Sequence, residues 1–170
     1  MQFAMKLCHA GDDMETTAIL KAPPSAPEQV GTDIVDDIIK IVQFSNLPDN
    51  WDSEGAKAVP AEVCEKAAKY LYAACNEFAA EFKSAAPNFL ESLKEHYKPF
   101  IAPGGDGSIV MEWESDEAEL IVVFRPGSRR IDVEYLTVEK KNGKEFEKEG
   151  MLNSVTAFVE AVRWFYLCKG

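Results

Sequence analysis

The stretch NLPDNWDSEGAKAVPAE, residues 46–62, sets Asn50, Asp52 and Glu54 at alternate positions with Gly55 directly after them. That is the first half of a calcium-binding EF-hand loop, where oxygen ligands at positions one, three and five precede a glycine at six. The second half does not follow. Position nine is Ala58, position twelve is Ala61 where a bidentate glutamate belongs, and Pro60 falls where the loop must still coordinate. A second chemistry would gather Asp52 or Glu54 with Asp106, Glu112 or Glu114 around paired cations, as a small metal-dependent hydrolase does. Glu112 and Glu114, however, stand on the polar face of an alternating strand, where charge is expected anyway, and no Lys or His sits at a fixed spacing to assist. No metal, cofactor or catalytic residue is therefore expected.

Nucleophilic chemistry fares no better. The two histidines are His9 and His96, and Cys8-His9 are chain neighbours whose side chains point apart on an extended backbone. PGGDGS (103–108) is glycine-rich but lacks the Lys-Ser/Thr and the strand–helix setting of a phosphate loop, so it reads as a hairpin turn. Arg125, Arg129 and Arg130 flank the Pro126-Gly127 turn and could contact a phosphate or a carboxylate, though an exposed turn needs no such role. The four cysteines (8, 64, 75 and 168) show no CxxC pair; Cys64 and Cys75 fall on the apolar stripe of one helix and read as small core residues.

The elements that must position these residues follow from periodicity. The stretch 1–31 reads as an N-terminal arm ending in a proline-rich linker, KAPPSAPEQVGT. DIVDDIIKIVQF predicts an amphipathic helix with Asp33, Asp36, Asp37 and Lys40 on one side and Ile34, Val35, Ile38, Ile41 and Val42 on the other. A longer helix begins near Pro60, with Cys64, Ala68, Leu71, Cys75, Phe78 and Phe82 on its buried face. NFLESLKEHY predicts a short third helix. From 99 the period becomes two: SIVMEWE and RIDVEYLTV alternate, AELIVVFR is apolar on both faces like a central strand, and Asn142-Gly143 turns the chain into a charged edge strand, KEFEKE. The last helix, capped by Asn153 or Ser154, is apolar around most of its circumference. The expected fold is α+β: an antiparallel meander of about four strands over 99–149, two or three preceding helices and one C-terminal helix, forming a single domain over 32–170.

Charge narrows the partners. The net charge is −11, with three lysines against ten carboxylates in residues 1–56 and seven basic against twelve acidic residues in 99–150. Such a chain does not supply the positive footprint that nucleic acid requires. No apolar run reaches the roughly 20 residues of a membrane span, and the N-terminus, interrupted by Lys6 and followed by Asp12-Asp13, lacks the pattern of a signal peptide. A cytoplasmic setting with reduced thiols is expected.

Two segments, LPDNWDSEGAKAVPAEV and PFIAPGGDGSIVMEWESDEAELIVVFRPGSRRIDVEYL, together resemble a group of small bacterial proteins. That group shares an N-W-D-x-x-G-A segment entering a helix and a P-x-x-x-P-x-x-D-G-x-I-x-x-E-W hairpin. The resemblance spans roughly residues 46 to 138. It implies a bacterial, accessory, phage- or defence-related setting and nothing about catalysis. Val59 departs from the group's Ser or Thr before the helix-starting proline, so a side-chain cap is lost.

These readings converge on a non-enzymatic, acidic protein-binding module: an inhibitor, antitoxin-like factor or accessory subunit whose partner carries a basic surface. Its candidate binding residues are Asp33, Asp36, Asp37, Trp51, Asp52, Glu54, Glu112 and Glu114. Trp51, Gly55, Pro60 and Trp113 are the structural candidates. In this reading the opening loop is a joint: Asp52 bonds nearby backbone, Gly55 permits the reversal, and Trp51 anchors the loop in the core, so that Trp51→Ala would cost about 3–5 kcal/mol.

Overall fold

A computed structural model describes residues 31–82 and 98–168. The expected N-terminal arm and the NFLESLKEHY helix, with Cys8, His9 and His96, lie outside the described residues. Helix α1 spans Gly31–Gln43 and runs into a 3-10 turn, Phe44–Asn46. Helix α2 spans Ala61–Phe82, directly after Pro60, whose carbonyl accepts the amides of Val63 and Cys64. Strands β1 (Phe100–Pro103), β2 (Ile109–Glu114), β3 (Ala118–Pro126), β4 (Ile131–Lys141) and β5 (Lys144–Met151) form one antiparallel sheet in sequential order, and α3 (Val155–Leu167) closes the domain. The α+β meander is realised with five strands rather than about four, because Phe100–Pro103 pairs in register with Pro103↔Ile109 through Phe100↔Glu112.

Side chains directly opposite in an antiparallel pair point to the same face, so the register separates two faces. Ile101, Met111, Val122 and Tyr135 make one inner row, and Trp113, Leu120 and Thr137 another. This inner face, the helices α1 to α3 and Val59 share a single hydrophobic cluster. Tyr70 of α2 meets Phe124 and Phe158 edge-on at 5.5 Å, and Trp113 meets Phe158 at 6.1 Å, so β2, β3, α2 and α3 lock through aromatic edges. Val59 is buried in this cluster, so the position that departs from the N-cap pattern serves packing instead. At the C-terminal helix, the Ser154 hydroxyl accepts the Ala157 amide at 3.1 Å and is the cap.

Helix α1 sits differently from its expected faces. Asp37 is only 8 % exposed and pairs with Lys98 at 3.2 Å, whereas Val35, Ile39 and Val42 face outward at 42–49 % exposure. The inward arc is Ile34, Asp37, Ile38 and Ile41, with Ile34 and Ile38 partly covered. Lys40 tacks the helix to the sheet edge by donating to the Ile101 carbonyl at 2.7 Å, its ammonium 5.7 Å from the Phe100 ring centre.

Candidate functional site

The residues that first suggested chemistry occupy a loop held by its own backbone. Asp52 Oδ1 accepts the amides of Glu54 at 2.8 Å and Ala56 at 3.0 Å, Asn50 Oδ1 accepts that of Gly55 at 2.7 Å, and Asp49 Oδ1 accepts that of Ala58 at 2.8 Å. Asn50, Ser53 and Gly55 all hold positive φ (61°, 63° and 98°), which turns successive amides inward onto these oxygens. The Glu54 amide, then the Ala56 amide, holds the Asp52 carboxyl below its ordinary value. The alternate spacing that imitates calcium ligands is thus the spacing of a loop satisfying its own donors.

Trp51 does not enter the core. Its ring is partly exposed and stands outside the hydrophobic cluster, and its Nε1 donates to the Lys57 carbonyl at 3.3 Å. The anchor is local: it staples one side of the loop to the other. Trp113, by contrast, is buried in the core.

The loop rests on the turn between β1 and β2. The Lys57 amide donates to the Gly105 carbonyl at 2.9 Å, and a Cβ on Gly107, at φ 85°, would lie 2.9 Å from the Ala58 carbonyl oxygen. The two short motifs, some fifty residues apart in sequence, are therefore two halves of one contact. Asp106 completes it. Its Oδ1 accepts the Ser108 amide at 3.1 Å, and its Oδ2 pairs with the Arg125 guanidinium, which also reaches Glu134 at 3.3 Å. Burial opposes ionisation of Asp106, but bonds from Ser108 and the Arg125 charge outweigh it and leave the carboxyl below its ordinary value. Sequence reasoning missed Asp49 and this Asp106–Arg125–Glu134 chain; the D-G turn and the Arg before Pro126 were their visible traces.

Among the described residues, no three His, Cys, Asp or Glu side chains come together in a way that could hold a metal ion. The thiols of Cys64 and Cys168 are pushed up chiefly by burial, and that of Cys75 to about 12, so none of the three is a thiolate near neutral pH. A cleft between α3 and β4, about 480 Å³, carries Glu139, Lys141, Glu160 and Arg163, but these charges are paired among themselves.

The candidate binding residues divide among three places. Asp33 lies in the first turn of α1, where Asp36 is exposed and Asp37 is buried. Trp51, Asp52 and Glu54 belong to the loop. Glu112 and Glu114 stand on the outer face of the sheet, with neighbours that the register supplies. One outer row runs Phe100–Glu112–Ile121–Leu136–Glu149, the next Ala102–Val110–Val123–Glu134–Met151, and a third Glu114–Glu119–Val138–Glu147. Val110, Ile121, Val123 and Leu136, all partly covered, stand outside the core cluster, as does Val138, which is itself buried. Glu114 directly opposes Glu119, a costly like-charge pair. Burial, then Glu112 and Glu114 acting against Lys140, raises the Glu119 carboxyl above its ordinary value.

Comparison with known protein families, curated proteins and solved structures finds no match to this chain.

Proposed function

We propose that this is a non-enzymatic, acidic protein-binding module, acting in the cytoplasm as an inhibitor, antitoxin-like factor or accessory subunit of a bacterial or phage, defence-related system. The observation that carries the reading is the outer face of the sheet. It holds a half-buried apolar centre outside the core, edged by Glu112, Glu114, Glu119, Glu147 and Glu149. Apolar surface rimmed by charge is the ordinary composition of a protein-recognition patch. The loop supports the same reading from the other side, because Oδ1 of Asp49, Asn50 and Asp52 already accepts backbone amides and serves the fold. Among the described residues no helix is long and apolar enough to cross a membrane.

The reading is tested by capturing partners from a bacterial host lysate on the full chain, alongside calorimetry with Mg2+, Mn2+ and Ca2+. The expected result is one stoichiometric, salt-sensitive protein partner and no heat of metal binding. Saturable metal binding with hydrolysis of a phosphoester, and no partner, would overturn it.

A further inference from the structure

On the outer face of the sheet five apolar residues of the three central strands form a line, with Phe100, Ala102 and Met151 of the edge strands lying off it. Val110 on β2, Val123 and Ile121 on β3, and Leu136 and Val138 on β4 step across two strands while advancing two rows, so they run diagonally. With strands about 4.8 Å apart and rows about 6.7 Å apart, the line is about 17 Å long. Glu112, Glu114 and Glu119 lie on one side of it, and Glu134, Glu147 and Glu149 on the other. Arg125 reaches Glu134, and among the described residues Lys140 is the other cation on this face near the line. The result is a partly covered apolar stripe, closed at one end by buried Val138 (7 % exposed), with three carboxylates along each flank.

We infer that this stripe is the docking site for a basic amphipathic helix of a partner protein, with apolar residues along the diagonal and Lys or Arg side chains on both flanks. Three helical turns span about 16 Å and match the line, and one apolar helix face flanked by charge repeats the pattern of the stripe. Charge decides between occupants. Residues 1–30 carry two lysines against four carboxylates, residues 83–97 carry two of each, and a second copy of the chain brings a further −11. Each of these meets six glutamates without the cations needed to offset them. A basic partner also relieves the Glu114–Glu119 repulsion, so the cost in the free protein becomes a gain on binding. The inference rests on the protein-binding reading above and names the surface and the partner's chemistry.

The test titrates the full chain, 15N-labelled, with three synthetic helical peptides of about 14 residues. All share one Leu/Ile stripe, flanked by Lys and Arg, by Gln, or by Glu. The expected result is saturable binding of the basic peptide alone, with shifts at Val110, Ile121, Val123 and Leu136, and affinity falling at least tenfold from 50 to 200 mM salt. A triple charge reversal, Glu112→Lys with Glu119→Lys and Glu149→Lys, should abolish it. Retention of the dispersed core methyl signals would show that this variant is folded. Equal binding of the Gln-flanked peptide, shifts confined to Val35, Ile39 and Val42 of α1, or a dimer that excludes the basic peptide would each overturn the inference. A lysate partner captured equally by wild type and the triple variant would overturn this site while leaving the binding-module reading intact. Failure of wild type to capture any partner would count against that reading itself.

Discussion

Asp52 shows how far residue type and spacing alone carry. Its position two residues after Asn50 and two before Glu54 is legible as a ligand pattern, and the loss of that pattern at Ala58 and Ala61 is legible too. The positive φ values that aim the Glu54 and Ala56 amides at its carboxylate are not, since Ser53 gives no local sign of a left-handed backbone. Because those amides favour the charged form, the folded Asp52 titrates below 3.8, and the loop keeps both bonds above that pH and loses them as pH falls through the lower value. The amide resonances of Glu54 and Ala56 should therefore titrate together with a midpoint below 3.8; a midpoint at or above it would mean that the carboxylate is not held. The tryptophans separate just as clearly. Trp113 fills the core against Phe158, so Trp113→Ala should cost about 3–5 kcal/mol. Trp51 contributes one hydrogen bond and a partly covered ring, so Trp51→Ala should cost only about 1–2 kcal/mol, short of the core-anchor expectation. Urea unfolding of the two variants side by side gives the order, and equal losses would return Trp51 to the core.

At the scale of elements, long periodic segments were readable and short or doubly apolar ones were not. The α2 stripe, the three long strands, the Asn142-Gly143 turn (φ 53° and 71°) and the C-terminal helix all stand where period and turn residues put them. Strand β1 escaped because four residues ending in a proline carry too little alternation to register. Helix α1 misled because it holds two apolar arcs about 100° apart, Ile34/Ile38/Ile41 and Val35/Ile39/Val42, and hydropathy cannot say which one meets the domain. The structure buries the first together with Asp37, whose carboxylate the Lys98 pair compensates. The joint between the loop and the β1–β2 turn is an element-level contact, and Gly107 is where it is closest. Gly107→Ala adds a Cβ against the Ala58 carbonyl oxygen, which belongs to backbone and cannot swing away, at a φ that favours glycine. The expected loss is about 2–3 kcal/mol, with hydrogen-exchange protection falling first at the Lys57 amide that bonds Gly105. Protection unchanged at Lys57 would show that the two motifs fold independently.

At the scale of the molecule, the described helices form one layer on one face of the sheet, and the other face was half-written in the sequence. AELIVVFR is apolar on both sides, which signals a central strand; the same fact puts Ile121 and Val123 on an outer face that the described helices do not join to the core. Reading that face as a stripe needed the register, because its members come from three strands. Burial on the inner side has its own consequence for stability. Burial, followed by the nearby Asp37 charge, pushes the Cys75 thiol to about 12, and burial also raises Cys64 and Tyr70. Each of these groups holds its proton more tightly in the folded state than in the unfolded chain. From pH 9 towards 12 the unfolded state therefore binds fewer protons than the native one, so stability is whole below pH 9 and falls as pH rises. Cys168 and Lys141, also raised, act the same way; Lys66, lowered by burial, works in the opposite direction but is one group against five. The urea midpoint should hold from pH 8 to about pH 9 and drop steadily from there to pH 10.5. Cys75→Ala should start lower at pH 8, since it removes a packed side chain, yet lose less over the same interval. Parallel slopes for wild type and Cys75→Ala would mean that the thiol ionises as readily inside the fold as outside it, and that the α2 face meeting α1 is open to water.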